Sequence, residues 1–149
     1  MAKYLSEVYS GKRNIPQPDS AEICAVPVDV VFGATALVAN DIIMLTDVPE
    51  GVSVADYSIS APQLDSHGTP TLAFSLGDAN AAGDDLTTVY ETGLIPGHTA
   101  SGSVVRCGNA LASSAATTSV RNLALKVTTA AATAATSGKT LTVLLKLRG

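Results

Sequence analysis

Apolar and polar positions alternate along several short stretches of the chain. Val26, Val28, Val30 and Phe32 alternate with Pro27, Asp29 and Val31. This period of two predicts a strand with one buried face. Ile42-Ile43-Met44-Leu45 is a continuous apolar run, opened by Asn40-Asp41 and closed by Pro49-Glu50-Gly51. It is too short for a helix and reads as a buried strand. Val52 and Val54 are followed by Tyr57 and Ile59 on a shifted face, so a bulge is predicted near Ala55-Asp56. Asp65-Ser66-His67-Gly68 is a turn signal, and Leu72, Phe74 and Leu76 alternate cleanly after it. A short strand is predicted at Val104-Val105-Arg106. Two more alternating stretches close the chain, Leu123 to Val127 and Leu141 to Leu147.

Three segments depart from this pattern. In Asp84 to Gly93, Leu86, Val89 and Tyr90 fall at i, i+3 and i+4, with Asp84 or Asp85 as N-cap and Gly93 as terminator, which predicts one short helix. Thr128 to Gly138 is rich in Ala and Thr and is predicted as the tip of a late hairpin. Residues 1–24 keep neither period, and Ile15-Pro16-Gln17-Pro18 is held extended by its prolines. They are predicted to form an extended N-terminal arm without a core of its own, ahead of a body at residues 25–149. Six to eight short strands with frequent turns predict an all-β fold, a sandwich or a barrel.

Composition narrows the functional classes. The chain has 149 residues, of which 15% are charged and 4% aromatic, with no Trp. Ala, Thr and Ser number 23, 16 and 14. A sequence pI near 4.9 argues against a nucleic-acid binder, and no stretch approaches the roughly 18 apolar residues of a membrane helix. The N-terminus lacks the apolar run of a signal peptide, so synthesis in a reducing cytoplasm is expected, with Cys24 and Cys107 as free thiols. The net charge of −4 hides a segregation: residues 1–13 carry +2, residues 14–105 carry −12 with no Lys or Arg, and residues 106–149 carry +6 with no acid. Acidic and basic strands could pair within one sheet, or each could face a complementary neighbour; the two readings are compatible.

Tests for catalytic and metal chemistry return little. Ser137-Gly138-Lys139-Thr140 resembles the end of a phosphate loop, but Thr133 stands where the first Gly is needed and a strand follows instead of a helix. Asp78, Asn80 and Asp84 are spaced like part of a calcium loop with Gly83 at its sixth position. Ala82 and Val89 occupy two further ligand positions, which leaves these three as weak metal candidates and an Asx-rich loop as the alternative. His67 and His98 are spaced from the cysteines unlike any zinc finger. No Gly-x-Ser-x-Gly elbow exists, and the adjacent Asp84 and Asp85 do not form a catalytic pair. The chain is read as a non-enzyme with no cofactor.

Asn40 to Leu45, Val48-Pro49-Glu50-Gly51-Val52 and Gln63-Leu64-Asp65-Ser66-His67-Gly68-Thr69-Pro70-Thr71-Leu72-Ala73-Phe74-Ser75-Leu76-Gly77-Asp78 together resemble structural proteins of tailed bacteriophages. Small head decoration, or cement, proteins are among these. The family pattern is a buried strand, a P-x-G-V turn and a D-L-D-S-x-G-x-P-x-L hairpin, whose first Asp is replaced here by Gln63. The resemblance spans roughly residues 25–95. It implies a jelly-roll-like β-sandwich, often a homotrimer, on the outer capsid surface of a virion assembled in the host cytoplasm. Its partner would be the major capsid protein, with no nucleic acid and no membrane, and a terminal arm would reach over neighbouring subunits. In this chain that arm would place Lys3, Tyr4, Leu5, Val8, Tyr9, Lys12, Arg13 and Ile15 against the capsid or a neighbour. Tyr suits such contacts because it joins an apolar ring to a polar tip. The alternatives are a head-to-tail or tail component, and a calcium-dependent binding sandwich.

Overall fold

The alternating stretches pair as their period requires. The computed structural model describes residues 1–14, 22–106, 109–112 and 115–149. Ile15, Cys107 and the Ile15-Pro16-Gln17-Pro18 segment therefore lie outside the described residues. The strands are β1 (Lys3–Leu5), β2 (Ile23–Val31), β3 (Ile42–Val48), β4 (Ser53–Ala61), β5 (Ala73–Ala79), β6 (Leu86–Leu94), β7 (Ser103–Arg106), β8 (Arg121–Thr129) and β9 (Thr140–Arg148). One short helix, α1, covers Asn109–Ala112. Two sheets form, with strand orders β1-β3-β8-β5-β6 and β2-β9-β4-β7. The fold is thus an all-β sandwich.

The inward faces meet in one core. Val26, Val28, Val30, Tyr57, Ile59 and the four alternate residues Leu141 to Leu147 come from one sheet; Ile43, Leu45, Phe74, Leu76, Leu123, Leu125 and Val127 come from the other. The predicted bulge is present, as the β4–β9 register shifts between Val54 and Asp56. The apolar run of β3 is buried on both faces. Its outward Ile42 and Met44 form a second cluster with Ala79 and Ala124, against which Tyr9 and Leu86 pack.

Two expectations are corrected. The segment from Asp84 to Gly93 is not a helix but the hairpin partner of β5. Its register shifts three times, and each bulge breaks the period of two, which mimics helical spacing. Leu86 faces the outer cluster, Tyr90 packs on the main core and Val89 is exposed, so they share no single face. Gly93 takes φ 71°, a bulge conformation here and not a helix cap. The late hairpin is also absent: β8 and β9 lie in different sheets, and residues 130–139 cross between them.

The described part of the N-terminal arm meets the body. Residues 1–14 pack along one side of the sandwich. β1 adds parallel to β3, and the Ser6 N–H continues that pairing to the Met44 carbonyl at 2.9 Å. Val8 joins the main core at 9% exposure. Glu7 then donates its N–H to Asp29 of β2 at 3.2 Å, so one stretch links the edges of both sheets. Burying a Val side chain contributes about 1.5–3 kcal/mol, which holds this stretch against the sandwich.

Gly77 explains how β6 reaches β5. A Cβ at that position would collide with the Thr88 carbonyl, a backbone atom that cannot rotate away. We expect Gly77→Ala to destabilise the protein by about 1–3 kcal/mol, measured by urea unfolding; an unchanged midpoint would remove this explanation of the hairpin's close approach.

Candidate functional site

Four connections between the sheets, β2–β3, β4–β5, β6–β7 and β8–β9, gather at one end of the sandwich. Asp65, in the β4–β5 connection, is fully buried there. Its Oδ2 accepts from the N–H groups of Thr71 (2.8 Å), Leu72 (3.3 Å) and Ala132 (2.9 Å). Its Oδ1 accepts from those of His67 (3.2 Å) and Thr133 (3.0 Å). Flanking backbone bonds extend the junction: Ser66 N–H to Thr133, Ala135 N–H to Leu64, and Leu64 N–H to the Gly97 carbonyl of the β6–β7 connection. His98 Nε2 donates to the Leu72 carbonyl at 2.5 Å. Burial alone would raise the Asp65 carboxyl, but the backbone donors from Thr133, Thr71, Ala132 and His67 outweigh it and hold it well below the usual carboxylate range. Asp65 is the second Asp of the hairpin motif, and its work here is structural. At the replaced first position, the Gln63 backbone carbonyl accepts from Lys139 Nζ.

A second polar group lies where β5, β6 and β8 meet. Tyr90 donates its hydroxyl to Asp78 Oδ2 at 2.5 Å. Arg121, only 7% exposed, approaches the Tyr90 oxygen at 3.2 Å and the Val52 carbonyl at 3.5 Å. Burial and Asp78 push the Tyr90 hydroxyl up, against the opposing effect of Arg121. The cluster ties one sheet to the connection entering β4.

The three weak metal candidates do not converge. Asp78 is engaged by Tyr90, while Asn80 and Asp84 bond to each other, with Asn80 Nδ2 donating at 2.6 Å and the Asp84 N–H returning to Asn80 Oδ1 at 3.1 Å. Among the described residues no group of three or more His, Cys, Asp or Glu is arranged to hold a metal ion. The loop joins β5 to β6, where the Asx-rich alternative expects it to cap a helix, and folds back so that Gly83 sits over Met44 and the Lys3 ammonium.

The N-terminal site residues divide. Tyr4 stacks edge-on against Phe32, with ring centroids 5.8 Å apart, and burial, aided by Asp41, pushes its hydroxyl up. Val8 and Tyr9 face the two clusters. Lys3 donates to the Ala82 carbonyl at 3.4 Å, and Arg13 pairs with Asp29 at 3.3 Å. Leu5 and Lys12 remain exposed. The segregated charges also meet inside the molecule: Lys126 pairs with Asp85 at 2.7 Å and Lys146 with Asp56 at 3.0 Å. Lys126 thereby holds the Asp85 carboxyl below its usual range. Sequence reasoning missed the keystone role of Asp65, because its donors come from segments about 67 residues apart.

The class defined by these features is a two-sheet β-sandwich with a structural carboxylate at the junction of its sheet connections. Over 99% of both chains it superposes on a chain of the solved capsid of Ralstonia phage GP4, with a TM-score of 0.84 and 25% identity. It also resembles a chain of the cyanophage Pam1 capsid asymmetric unit, with a TM-score of 0.60 and 18% identity over 93% of this chain and 96% of that one; this second likeness concerns the fold. No protein-family model and no curated protein sequence matches.

Asp65→Ala is expected to cost on the order of 3 kcal/mol or more, since it leaves several buried N–H groups unpaired. Because the folded carboxyl is lowered, its contribution is present above the unfolded value of about 3.9 and fades as pH falls below it. The melting-temperature gap between wild type and Asp65→Asn should therefore be wide at neutral pH and shrink toward pH 2; a constant gap would contradict the assignment. Millimolar calcium should leave the melting temperature unchanged, and a rise of several degrees would restore the metal candidates.

Proposed function

We propose that the chain is a structural protein of a bacteriophage virion and, within that class, a capsid decoration or cement protein. In this reading it binds the outer surface of the head, as a homotrimer, and stabilises the shell by bridging subunits of the major capsid protein. The observation that carries the reading is the whole-chain match to a chain of the GP4 capsid, in agreement with the hairpin motif around Asp65. The strand orders also support the jelly-roll reading: leaving β1 aside, two four-stranded layers, β2-β9-β4-β7 and β3-β8-β5-β6, divide eight strands as a jelly roll does.

The mechanism is linkage. A protein that binds only the assembled shell stabilises it by mass action, and a trimer holding several subunits multiplies the effect. No step of this needs catalysis or a cofactor. The N-terminal segment contributes through its exposed groups, Leu5 and Lys12 with Arg13 beside them, while Tyr4, Val8 and Tyr9 hold it to the body. The chain would be made in the host cytoplasm and end on the outer surface of the particle.

Adding the purified chain to heads assembled without it should give saturable binding and a higher temperature of shell disruption. Absence of binding would refute the decoration reading, and density confined to the portal vertex in a particle reconstruction would replace it with a head-to-tail role. Leu5→Asp combined with Lys12→Glu should lower head occupancy without lowering the melting temperature. Removing residues 1–15 should instead destabilise the fold, because it strips Val8 from the core.

A further inference from the structure

The two outer faces of the sandwich are finished differently. On the sheet containing β3, Tyr9, Leu86 and the folded-back loop around Gly83 cover the central strands, and Ile42, Met44 and Ala124 are fully buried beneath them. The outer face of β2-β9-β4-β7 has no such cover among the described residues. Ile23, Val31 and Val104 are each about 60% exposed, and Leu144 on β9 is 36% exposed. The registers place Pro27, Leu144, Ser58 and Arg106 in one row across all four strands, with Ile23 beside Arg148 at one end.

The charge on this face is the reverse of the chain's. Asp29 is engaged by Arg13 and by Thr142, whose hydroxyl donates to it at 2.6 Å, and Asp56 is paired with Lys146. Arg106 and Arg148 have no carboxylate partner among the described residues, so the face carries +2 on a chain whose total is −4. At ordinary strand spacing and rise, the face spans about 500 Å² in projection.

We infer that this open face is a docking surface for an acidic protein surface that also presents apolar side chains. The exposed aliphatic side chains would be covered, and Arg106 and Arg148 would meet carboxylates of the partner. Two copies of this chain set face to face would oppose +2 with +2, which disfavours self-association through it. A polyanion would find only two uncompensated charges and could not use the exposed aliphatic groups. The inference rests on the decoration reading, in which the occupant is the outer surface of the major capsid protein.

Heads assembled without the chain are the probe. Leu144→Glu, and the double variant Arg106→Glu with Arg148→Glu, should each weaken binding at least tenfold. Val89→Glu, exposed on β6 away from this face, should bind as wild type does, and equal melting temperatures establish that all variants are folded. Added salt should weaken wild type more than the double arginine variant. If wild type and face variants saturate heads equally, the docking assignment is overturned while the decoration reading stands. If wild type does not bind heads, both fall. If the face variants lower the protein's mass in solution, a second copy occupies the face and the acidic-partner assignment is overturned.

Discussion

The buried carboxylate of Asp65 is the constraint on which the sandwich depends. A two-sheet fold whose chain passes repeatedly between layers carries several connections over one end, where their backbone groups leave water without joining a ladder. Asp65 meets that demand at one point. As an ion it only accepts, and both oxygens are filled by N–H groups from the β4–β5 and β8–β9 connections. The β6–β7 connection joins through Gly97 and Leu64. A neutral side chain of the same size could not receive every one of those donors.

The N-terminal segment closes the molecule laterally. An edge strand offers unpaired backbone groups that invite association. β1 occupies the edge of β3, Glu7 and Arg13 bond to the edge of β2, and Asp41 anchors the Ala2 N–H at 2.5 Å. The same stretch places Tyr9 on the outer cluster. One side and one outer face are therefore covered within the chain, while the outer face of β2-β9-β4-β7 has no such cover among the described residues. A surface with few charges and many small residues suits such contact, since ordering it costs little side-chain entropy.

Most strands were legible from alternation, because each has one face in the core and one face out. β3 was legible as a buried run, and the bulge in β4 as a change of face. Where the period failed, reading failed for a physical reason. Three register shifts in β6 scattered Leu86, Val89 and Tyr90 into helical spacing. The Ala-Thr stretch after β8 has side chains too small to report a face, so the crossover looked like a hairpin. The first 14 residues showed no period because they bury single residues against a core built by others. Among the site residues, the Asp65 motif could be recognised as a pattern, but its five donors could not be named.

Taken alone, the sequence determined the all-β class, the positions of most strands and the segregation of charge. These are local properties, set by which side chains can face water and which turns the backbone accepts. Only the tertiary structure decided which strands share a sheet, that residues 1–14 pack along the sandwich, that Asp65 joins the connections, and which outer face has no cover among the described residues. Each of these depends on contacts between segments tens of residues apart, whose partners are chosen by the packing of the whole core and leave no periodic trace in the chain.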